Sequence, residues 1–338
     1  MNKIKELLKE LSKMCTISGT EAQSKVRLLE IASGLFDDAY EDSLGDLVLI
    51  VRSGKENAPR LMIDAHFDEV GMLTSGEGER GFYPLIPIGG IDTRVLGATR
   101  VIAYGKEQIS GVLTSTPPHL LKDKGSLPKM SDIYLDTGNS EVKLPIGTPV
   151  GYAPHYTELL NNRVSAKGLD DKACVCAMLD MASKIDKGRL MYDIYIVISA
   201  QEEVGKGGAR FIAYDIAPDI AIITDVGFAR AEGIEVADSI LLGEGAYIDF
   251  SACTDIMLTR KIVAMCKERG ICHQVLCEPS RTHTNNEAVS IAGAGVRTAL
   301  LGVALDGMHT PSEIVSLDDI KSLSSILLEI AYTPKEQL

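Results

Sequence analysis

Leu61-Met-Ile-Asp-Ala-His-Phe-Asp-Glu-Val-Gly71 is an apolar run that ends in polar residues, and it is the stretch from which the fold can be inferred. Residues 61–65 predict a buried strand, with His66 and Asp68 at its end. Beyond residue 161, the apolar patterns predict alternating elements: helix 173–185, strand 192–200, helix 207–214, strand 220–224, helix 254–269 and helix 317–331. This alternation predicts an α/β fold, in which ligand sites lie where strands end.

Residues 70–160 have a different pattern. Short apolar segments alternate there with turns that contain Gly and Pro, and helical periodicity is almost absent. This pattern predicts a small β-domain inserted into the α/β domain. The α/β domain would then consist of residues 1–69 and 161–338.

The composition limits the class of protein. The 338 residues include 34 Lys and Arg against 47 Asp and Glu, which gives a net charge of −13. This charge repels phosphate backbones and anionic lipids, so we expect neither nucleic acid nor a membrane as partner. The sequence has no run of about 18 apolar residues that could span a bilayer. An odd number of cysteines, seven, and a charged N-terminal segment favour free thiols in the cytoplasm.

Polar groups stand at the ends of the predicted strands or shortly after them: His66-x-Asp68, Asp170-Asp171, Glu202-Glu203, Asp225 and His309. Their wide spacing excludes a local metal finger, but they can converge if they lie at the ends of neighbouring strands. Imidazoles and carboxylates without thiolates suit zinc, cobalt or manganese. Two histidines and at least three carboxylates are enough for two metal ions, which together polarise a carbonyl and activate water.

The spacing within these groups suggests roles. The Asp68 carboxylate could accept the second ring N–H of His66 and fix its tautomer. On extended backbone, Glu202 and Glu203 would point in different directions, so one could bind metal while the other acts as general base. Each group alone has a plainer interpretation: a chance pair at a strand end, a solvated turn, or a helix N-cap. Their shared position at the boundaries of one α/β pattern favours a metal site.

At these residues the chain resembles the M42 family of metallo-aminopeptidases, the glutamyl- and deblocking-aminopeptidase group. The matching segments extend along nearly the whole chain: Asp64–Gly71, Pro87–Gly90, Pro117–Leu120, Leu169–Lys172, Gln201–Gly205, Pro218–Ile222, Thr224–Asp225 and Met308–Pro311. The resemblance implies a di-metal peptidase fold, with a mixed-sheet core and an inserted small β-barrel-like domain for oligomerisation or substrate access. It also implies peptide substrates and a homo-oligomer, such as a dodecamer.

The family pattern further implies a set of ligands for two divalent metal ions. His66 and Asp225 would hold one ion, Glu203 and His309 would hold the other, and Asp170 would bridge them. Zinc or cobalt is expected, and manganese is also compatible with these ligands.

The family pattern also implies two catalytic residues. Asp68 would orient the first histidine, and Glu202 would be the general base that activates water for hydrolysis of N-terminal residues from peptides. Two alternatives stay open: a related amidohydrolase that acts on acylated small substrates, and a catalytically silent metal-binding assembly protein. His119 is a weaker candidate for contact with substrate or with a neighbouring subunit.

The chain departs from the family pattern in two places. Asn285 stands where relatives often have an aspartate in a Thr-Asp-Ala segment, and Asp306-Gly307 stands where they often have Arg-Tyr. Neither change removes an expected metal ligand. We expect both positions to lie near the substrate, where they could alter or reduce activity.

Overall fold

The computed structural model describes residues 2–117, 120, 127–236, 239–279 and 281–338, so His119 lies outside the described residues. Within them, eleven strands form one mixed sheet and six form a closed barrel. The strands of the sheet are β1 Asp38–Glu41, β2 Leu47–Val51, β3 Arg60–His66, β10 Tyr156–Glu158, β11 Arg163–Ala166, β12 Asp193–Ser199, β13 Ile220–Phe228, β14 Ala246–Ser251, β15 His273–Glu278, β16 Thr298–Asp306 and β17 Glu313–Ser316. Those of the barrel are β4 Gly71–Thr74, β5 Phe82–Ile88, β6 Arg100–Tyr104, β7 Gln108–Thr114, β8 Tyr134–Asp136 and β9 Pro149–Tyr152. The α-helices are α1 Asn2–Ser12, α2 Ala22–Ile31, α3 Leu169–Ala182, α4 Gly207–Ile216, α5 Ile256–Arg269, α6 Asn286–Ser290 and α7 Leu317–Tyr332.

The centre of the sheet consists of parallel strands that are buried on both faces. β3 pairs in parallel with β12 on one side and with β13 on the other, and β13 pairs in parallel with β16. Along β3, Leu61 and Ile63 pack in a cluster with α1, α3, α5 and α7, whereas Met62 packs in a cluster with α4 and α6. Because successive side chains of a strand point to opposite faces, the sheet lies between two layers of helices. The predicted α/β class is confirmed.

The barrel has a core of its own, in which Met72, Tyr83 and Leu113 are buried. Its strands are short and antiparallel, which is why the sequence from residue 70 onward shows turns and no helical periodicity. The inserted barrel expected from the resemblance is therefore present. The strand β10 falls inside the range 70–160 but pairs with β11 of the large sheet. The boundaries of the two domains stay a prediction.

Two further features bear on the sequence-based expectations. In the described part of the chain, no helix is both long and apolar enough to cross a bilayer. All seven cysteines, which are among the described residues, carry free thiols.

Candidate metal centre

The parallel strands bring the predicted site residues to one edge of the sheet. In the β3–β12 pair, His66 is opposite Ser199, directly before the turn that carries the two glutamates. In the β3–β13 pair, Asp64 is opposite Ile223, so Asp225 lies level with His66. Asp225 is inside β13 and not after its end, because this strand continues to residue 228. The carboxyl ends of the parallel strands thus form one site, as in other α/β folds.

Asp170 and Asp171 enter the site from the first turn of α3. Both have non-helical backbone angles, and Gly168 before them has a φ of +57°. A Cβ atom at Gly168 would lie 2.0 Å from Oε2 of Glu69, so this position requires glycine. The two aspartates therefore do not form a simple N-cap, because the irregular backbone directs them into the site.

The Asp170 carboxylate lies between the two histidines. Its Oδ1 is 2.9 Å from Nε2 of His66, and its Oδ2 is 3.3 Å from Nε2 of His309. Oε1 of Glu203 is 3.2 Å from the same His309 nitrogen, and Oδ1 of Asp225 is 3.8 Å from the His66 nitrogen. All five residues expected to hold metal are thus brought together, with Asp170 between the two pairs.

Both histidines point the same ring nitrogen, Nε2, toward the carboxylates. Nδ1 of His66 is 2.9 Å from the carbonyl oxygen of Asp68, and Nδ1 of His309 is 2.8 Å from the carbonyl oxygen of Gly90. A carbonyl oxygen can only accept, so each Nδ1 carries a hydrogen and donates it. Each Nε2 can then bind a cation through its lone pair, as in metal-bound histidines whose other ring nitrogen has a partner.

Asp68 supports the site differently from the sequence-based expectation. Its Oδ1 is 3.6 Å from Nδ1 of His66, too far for a hydrogen bond, and the histidine contacts the Asp68 backbone oxygen instead. The Asp68 carboxylate accepts hydrogen bonds from the backbone N–H of Glu202, at 3.0 Å, of Glu203, at 3.2 Å, and from the hydroxyl of Ser18. The two glutamates lie in a turn after β12 and not on extended backbone. The Asp68 carboxylate holds this turn in place.

Glu202 is a partly enclosed carboxylate whose proton affinity is raised. Its Oε1 is buried and accepts no hydrogen bond from the described residues. Burial raises the pKa of Glu202 to about 7; the charge of His66 opposes the shift, and the charges of Glu203 and Asp170 add to it. Nζ of Lys206 is 3.9 Å from Oε1 of Glu202. The carboxyl group can therefore exchange a proton near neutral pH.

The centre contains two groups of possible metal ligands. One ligand atom each from His66, Asp171 and Asp225 lie within 4.8 Å of one another, and so do atoms of Asp170, Glu203 and His309. Imidazole nitrogens mixed with carboxylate oxygens suit Zn²⁺, Co²⁺ or Mn²⁺.

The protonation of these carboxylates also fits a cation site. Burial raises the pKa values of Asp171 and Asp225 well above their usual range, and carboxylates close by add to both shifts. Cations bound between these groups would stabilise their ionised form. The residues present therefore fit a site for divalent cations.

Sequence reasoning missed a buried charge cluster under the site. Oε1 of Glu69 is 2.5 Å from Nζ of Lys167, and Oε2 is 2.8 Å from Nζ of Lys172. All three side chains are buried. Burial alone would raise the pKa of Glu69, but the two ammonium groups lower it to about 2. The sequence does place a glutamate and two lysines close to candidate site residues. Glutamate and lysine are usually solvent-exposed, however, so their burial could not be predicted.

Glu313 is a second residue that the sequence did not indicate. Its Oε2 accepts the backbone N–H of Leu169, at 2.6 Å, and of Asp170, at 3.2 Å, while its Oε1 accepts that of His309, at 2.8 Å. Burial and the charge of Asp170 raise its pKa to about 8. Glu313 thus connects the start of α3 to the loop that carries His309.

The expectation that Asn285 lies near the substrate is wrong. Its side chain is 2% exposed and donates to Oδ2 of Asp64 and Oγ of Ser199, both at 2.9 Å. Its neighbours His283 and Thr284, and not Asn285, line the open cleft that leads to the site. Asn285 is the N-cap residue of α6, and α6 packs on the sheet through Val289. The family pattern locates Asn285 in the chain, but it does not indicate the direction of the side chain.

An open cleft leads to the metal centre and encloses about 370 Å³, within the usual range of small-ligand sites. Phe228, Leu276, Leu300 and Met308 give it an apolar wall. The catalytic and metal-site candidates form its floor: His66, Asp170, Glu202, Glu203, Asp225 and His309. The arrangement suits hydrolysis of a bond beside an apolar or amphipathic side chain.

Comparisons with known proteins agree with this geometry. The model of the family described as M42 glutamyl aminopeptidase matches residues 46–326. The lysyl aminopeptidase of Pyrococcus furiosus is 30% identical to this chain over an alignment of 338 positions, gaps included. The alignment covers 96% of this chain and 96% of the relative.

Solved structures show the same fold. Aminopeptidase APDkam598 from the archaeon Desulfurococcus kamchatkensis superposes with a TM-score of 0.92 at 26% identity and covers 99% of this chain and 96% of its own. The TET1 peptidase of Pyrococcus horikoshii, described as able to assemble into a tetrahedron or a large octahedral shell, superposes with a TM-score of 0.85 at 27% identity. Its match covers 97% of this chain and 99% of its own.

Proposed function

Because the chain belongs to the M42 glutamyl aminopeptidase family and is therefore an aminopeptidase, we propose that it works with two divalent cations and with Glu202 as general base. The observation that carries this proposal is the position of the Asp170 carboxylate, which lies within 3.3 Å of Nε2 of both His66 and His309. A carboxylate shared between two imidazoles is the arrangement that a bridging ligand needs.

The proposed ligands are five of the six residues in the two groups described above. His66 and Asp225 would hold one cation, Glu203 and His309 the other, and Asp170 would belong to both. Zn²⁺, Co²⁺ and Mn²⁺ all accept this set of nitrogen and oxygen donors. Zn²⁺ or Co²⁺ is the first choice because imidazole suits these ions better than it suits harder cations.

When bound, the two cations would polarise the scissile carbonyl and make an attacking water easier to deprotonate. Glu202 takes one proton from that water as the water oxygen bonds to the carbonyl carbon. It then gives the proton to the nitrogen of the leaving amine as the C–N bond breaks. Glu202 suits this task because it lines the cleft and its Oε1 accepts no hydrogen bond from the described residues, so this oxygen can accept a proton. Asp68 would keep Glu202 in position by accepting its backbone N–H.

The cleft would receive the N-terminal residue of a peptide. Its apolar wall, which includes Phe228, Leu276 and Leu300, would pack against the side chain of that residue. The P. furiosus relative is named a lysyl aminopeptidase, which supports including N-terminal lysine among the first substrates tested.

We also propose that the protein self-associates in the cytoplasm. The P. horikoshii TET1 peptidase, described as able to assemble into a tetrahedron or a large octahedral shell, matches 97% of this chain, and we expect an assembly of twelve subunits. Size-exclusion chromatography with light scattering tests this proposal. A mass near that of one chain, 36.4 kDa, would contradict it.

Hydrolysis of a mixed library of short peptides tests the proposed activity. Purified protein would be assayed with added Co²⁺ or Zn²⁺ and with a chelator, on peptides with free and with acetylated N-termini. We expect stepwise release of N-terminal residues from free peptides only, and loss of this release with chelator. Cleavage of acetylated substrates alone would favour the amidohydrolase. Cation-loaded protein that cleaves neither set would favour the silent assembly protein.

Metal content tests the proposed ligands. His309→Ala should lose about one of two cation equivalents, measured by elemental analysis after dialysis. The matched control is His155→Ala, which replaces a histidine outside both ligand groups and should keep both equivalents. Unchanged metal content in His309→Ala would contradict its assignment.

A further inference from the structure

Lys206 is a cationic side chain in a cleft that is otherwise rich in carboxylates. Among the described residues that line this cleft, it is the only lysine or arginine, whereas five are aspartates or glutamates. Its Nζ is 3.9 Å from Oε1 of Glu202 and 3.7 Å from Oε2 of Glu287. Both distances are longer than a hydrogen bond, so neither carboxylate takes one of the three N–H donors of the ammonium group.

The backbone places Lys206 in the same turn as Glu202. The N–H of Lys206 donates to the carbonyl oxygen of Gln201 at 2.7 Å, and its φ is +62°. Glycine adopts this left-handed conformation without strain, whereas lysine rarely does. The turn therefore holds the ammonium group beside the proposed general base, and the backbone itself gives no reason for a lysine at this position.

The leaving half of a substrate must approach Glu202. In the proposed mechanism Glu202 gives a proton to the nitrogen of the leaving amine, so this nitrogen lies within about 3.2 Å of its carboxylate. In a dipeptide, the C-terminal carboxylate is attached to the same Cα as that nitrogen, and the two are only about 2.5 Å apart. The carboxylate thus comes within reach of Nζ of Lys206, which is 3.9 Å from Oε1 of Glu202.

We propose that dipeptides are substrates of this enzyme and that Lys206 recognises them by binding their C-terminal carboxylate. The inference rests on the proposed function, because it requires the leaving amine to contact Glu202. The ammonium group and the carboxylate would form a charge-assisted hydrogen bond. In a longer peptide, a neutral amide takes the place of this carboxylate, which moves about 3.5 Å along the chain with each added residue.

The ratio of kcat/KM for a dipeptide to kcat/KM for its C-terminal amide measures this recognition. The substrates are X-Ala and X-Ala-NH₂, where X is the residue that the peptide library releases best. Both have the same scissile bond, so an effect of a variant on the proton transfer itself cancels in the ratio. Assays at fixed pH and equal Zn²⁺ content compare wild type with the variants.

Lys206→Gln should lower this ratio at least about 10-fold relative to wild type, because a hydrogen bond between charged groups has effects of this size. Lys206→Arg keeps the charge and should retain most of the wild-type ratio. The matched control is Lys267→Gln, a change of an exposed lysine on α5. It should leave the ratio unchanged.

A second measurement uses wild type alone and does not depend on a variant folding. The same ratio is measured for the tetrapeptide X-Ala-Ala-Ala and its amide, in which the carboxylate lies about 7 Å farther along the chain. We expect the ratio for the dipeptide pair to exceed that for the tetrapeptide pair several-fold. Equal ratios for the two lengths would overturn the proposal.

The outcomes separate this inference from the proposed function. If wild type cleaves these substrates and Lys206→Gln has the wild-type ratio, the role of Lys206 is overturned and the proposed function stands. A purely structural role would change kcat/KM for both substrates by the same factor, which leaves the ratio unchanged and likewise overturns the proposal. Wild type that releases no N-terminal residue from these substrates or from the library would overturn the proposed function and this inference with it.

Discussion

Nδ1 of His309 lies 2.8 Å from the carbonyl oxygen of Gly90, a residue 219 positions earlier in the chain. Gly90 lies two residues after the end of the barrel strand β5, so this contact joins the segment that follows the strand to the candidate metal centre. The carbonyl accepts the Nδ1 hydrogen, and Nε2 is thereby turned toward Asp170 and Glu203. The inserted barrel thus fixes the direction of one proposed ligand.

Gly90→Ala should disturb this contact without removing any ligand. A Cβ at Gly90 would lie 3.2 Å from Nδ1 of His309, so the ring must shift slightly. We expect one of the two Zn²⁺ equivalents to bind about 10-fold less tightly, because partners that orient a metal-bound histidine have effects of this size. Zn²⁺ titration measures the change. The matched control is Gly97→Ala, whose Cβ would lie 3.3 Å from Oγ of Ser115 in the barrel. Equal affinities in both variants would contradict the role of Gly90.

Glu69→Gln should destabilise the fold. The carboxylate of Glu69 contacts Nζ of both Lys167 and Lys172, and all three side chains are buried. Without its charge, two buried ammonium groups lose their counter-ion, and we expect the free energy of unfolding to fall by about 3–5 kcal/mol. Urea denaturation of the metal-free protein measures this loss. Glu79→Gln, a change of an exposed glutamate, is the control and should have little effect. A similar small effect of Glu69→Gln would show that the cluster is not a significant source of stability.

Asp46→Asn should change how stability depends on pH. Burial raises the pKa of Asp46 to about 8, although the backbone N–H of Ala200 donates to its carboxylate and opposes the shift. In the unfolded chain the pKa is about 3.9. Between these values the folded protein holds a proton that the unfolded chain releases, so this group's stabilising contribution is complete below about pH 4 and lost as pH rises through about 8.

Melting temperatures of wild type and Asp46→Asn test this dependence. The two proteins should melt within about 1 °C of each other at pH 4, where the side chain is neutral in both. At pH 9 the variant should melt at least about 2 °C higher, because it cannot ionise. A difference that stays constant from pH 4 to pH 9 would contradict the raised pKa.

The candidate site residues could be located from the sequence because their signal is local. His66 ends an apolar strand, Glu202 and Glu203 follow one by three and four residues, and Asp170 stands at the start of a helix. Convergence then followed from the rule that the carboxyl ends of parallel strands form one edge.

Direction and burial could not be inferred in this way. Lys167 and Lys172 are buried only because Glu69, about 100 positions earlier, packs between them; on their own they would be expected in water. The inward direction of Asn285 depends on how α6 packs on the sheet. The contact of Asp68 with the glutamate turn depends on two loops that meet only in the folded chain.

The most direct test of the proposed mechanism is the rate at which Glu202→Gln releases the N-terminal residue of a free tetrapeptide. Wild type and variant would be compared at equal Zn²⁺ content, with Glu56→Gln, a change of an exposed glutamate, as the control. We predict that the variant binds both equivalents of Zn²⁺ and turns over about 10²–10⁴-fold more slowly, because only the proton transfer is lost. A variant that binds Zn²⁺ as wild type does and cleaves at the wild-type rate would contradict Glu202 as the general base.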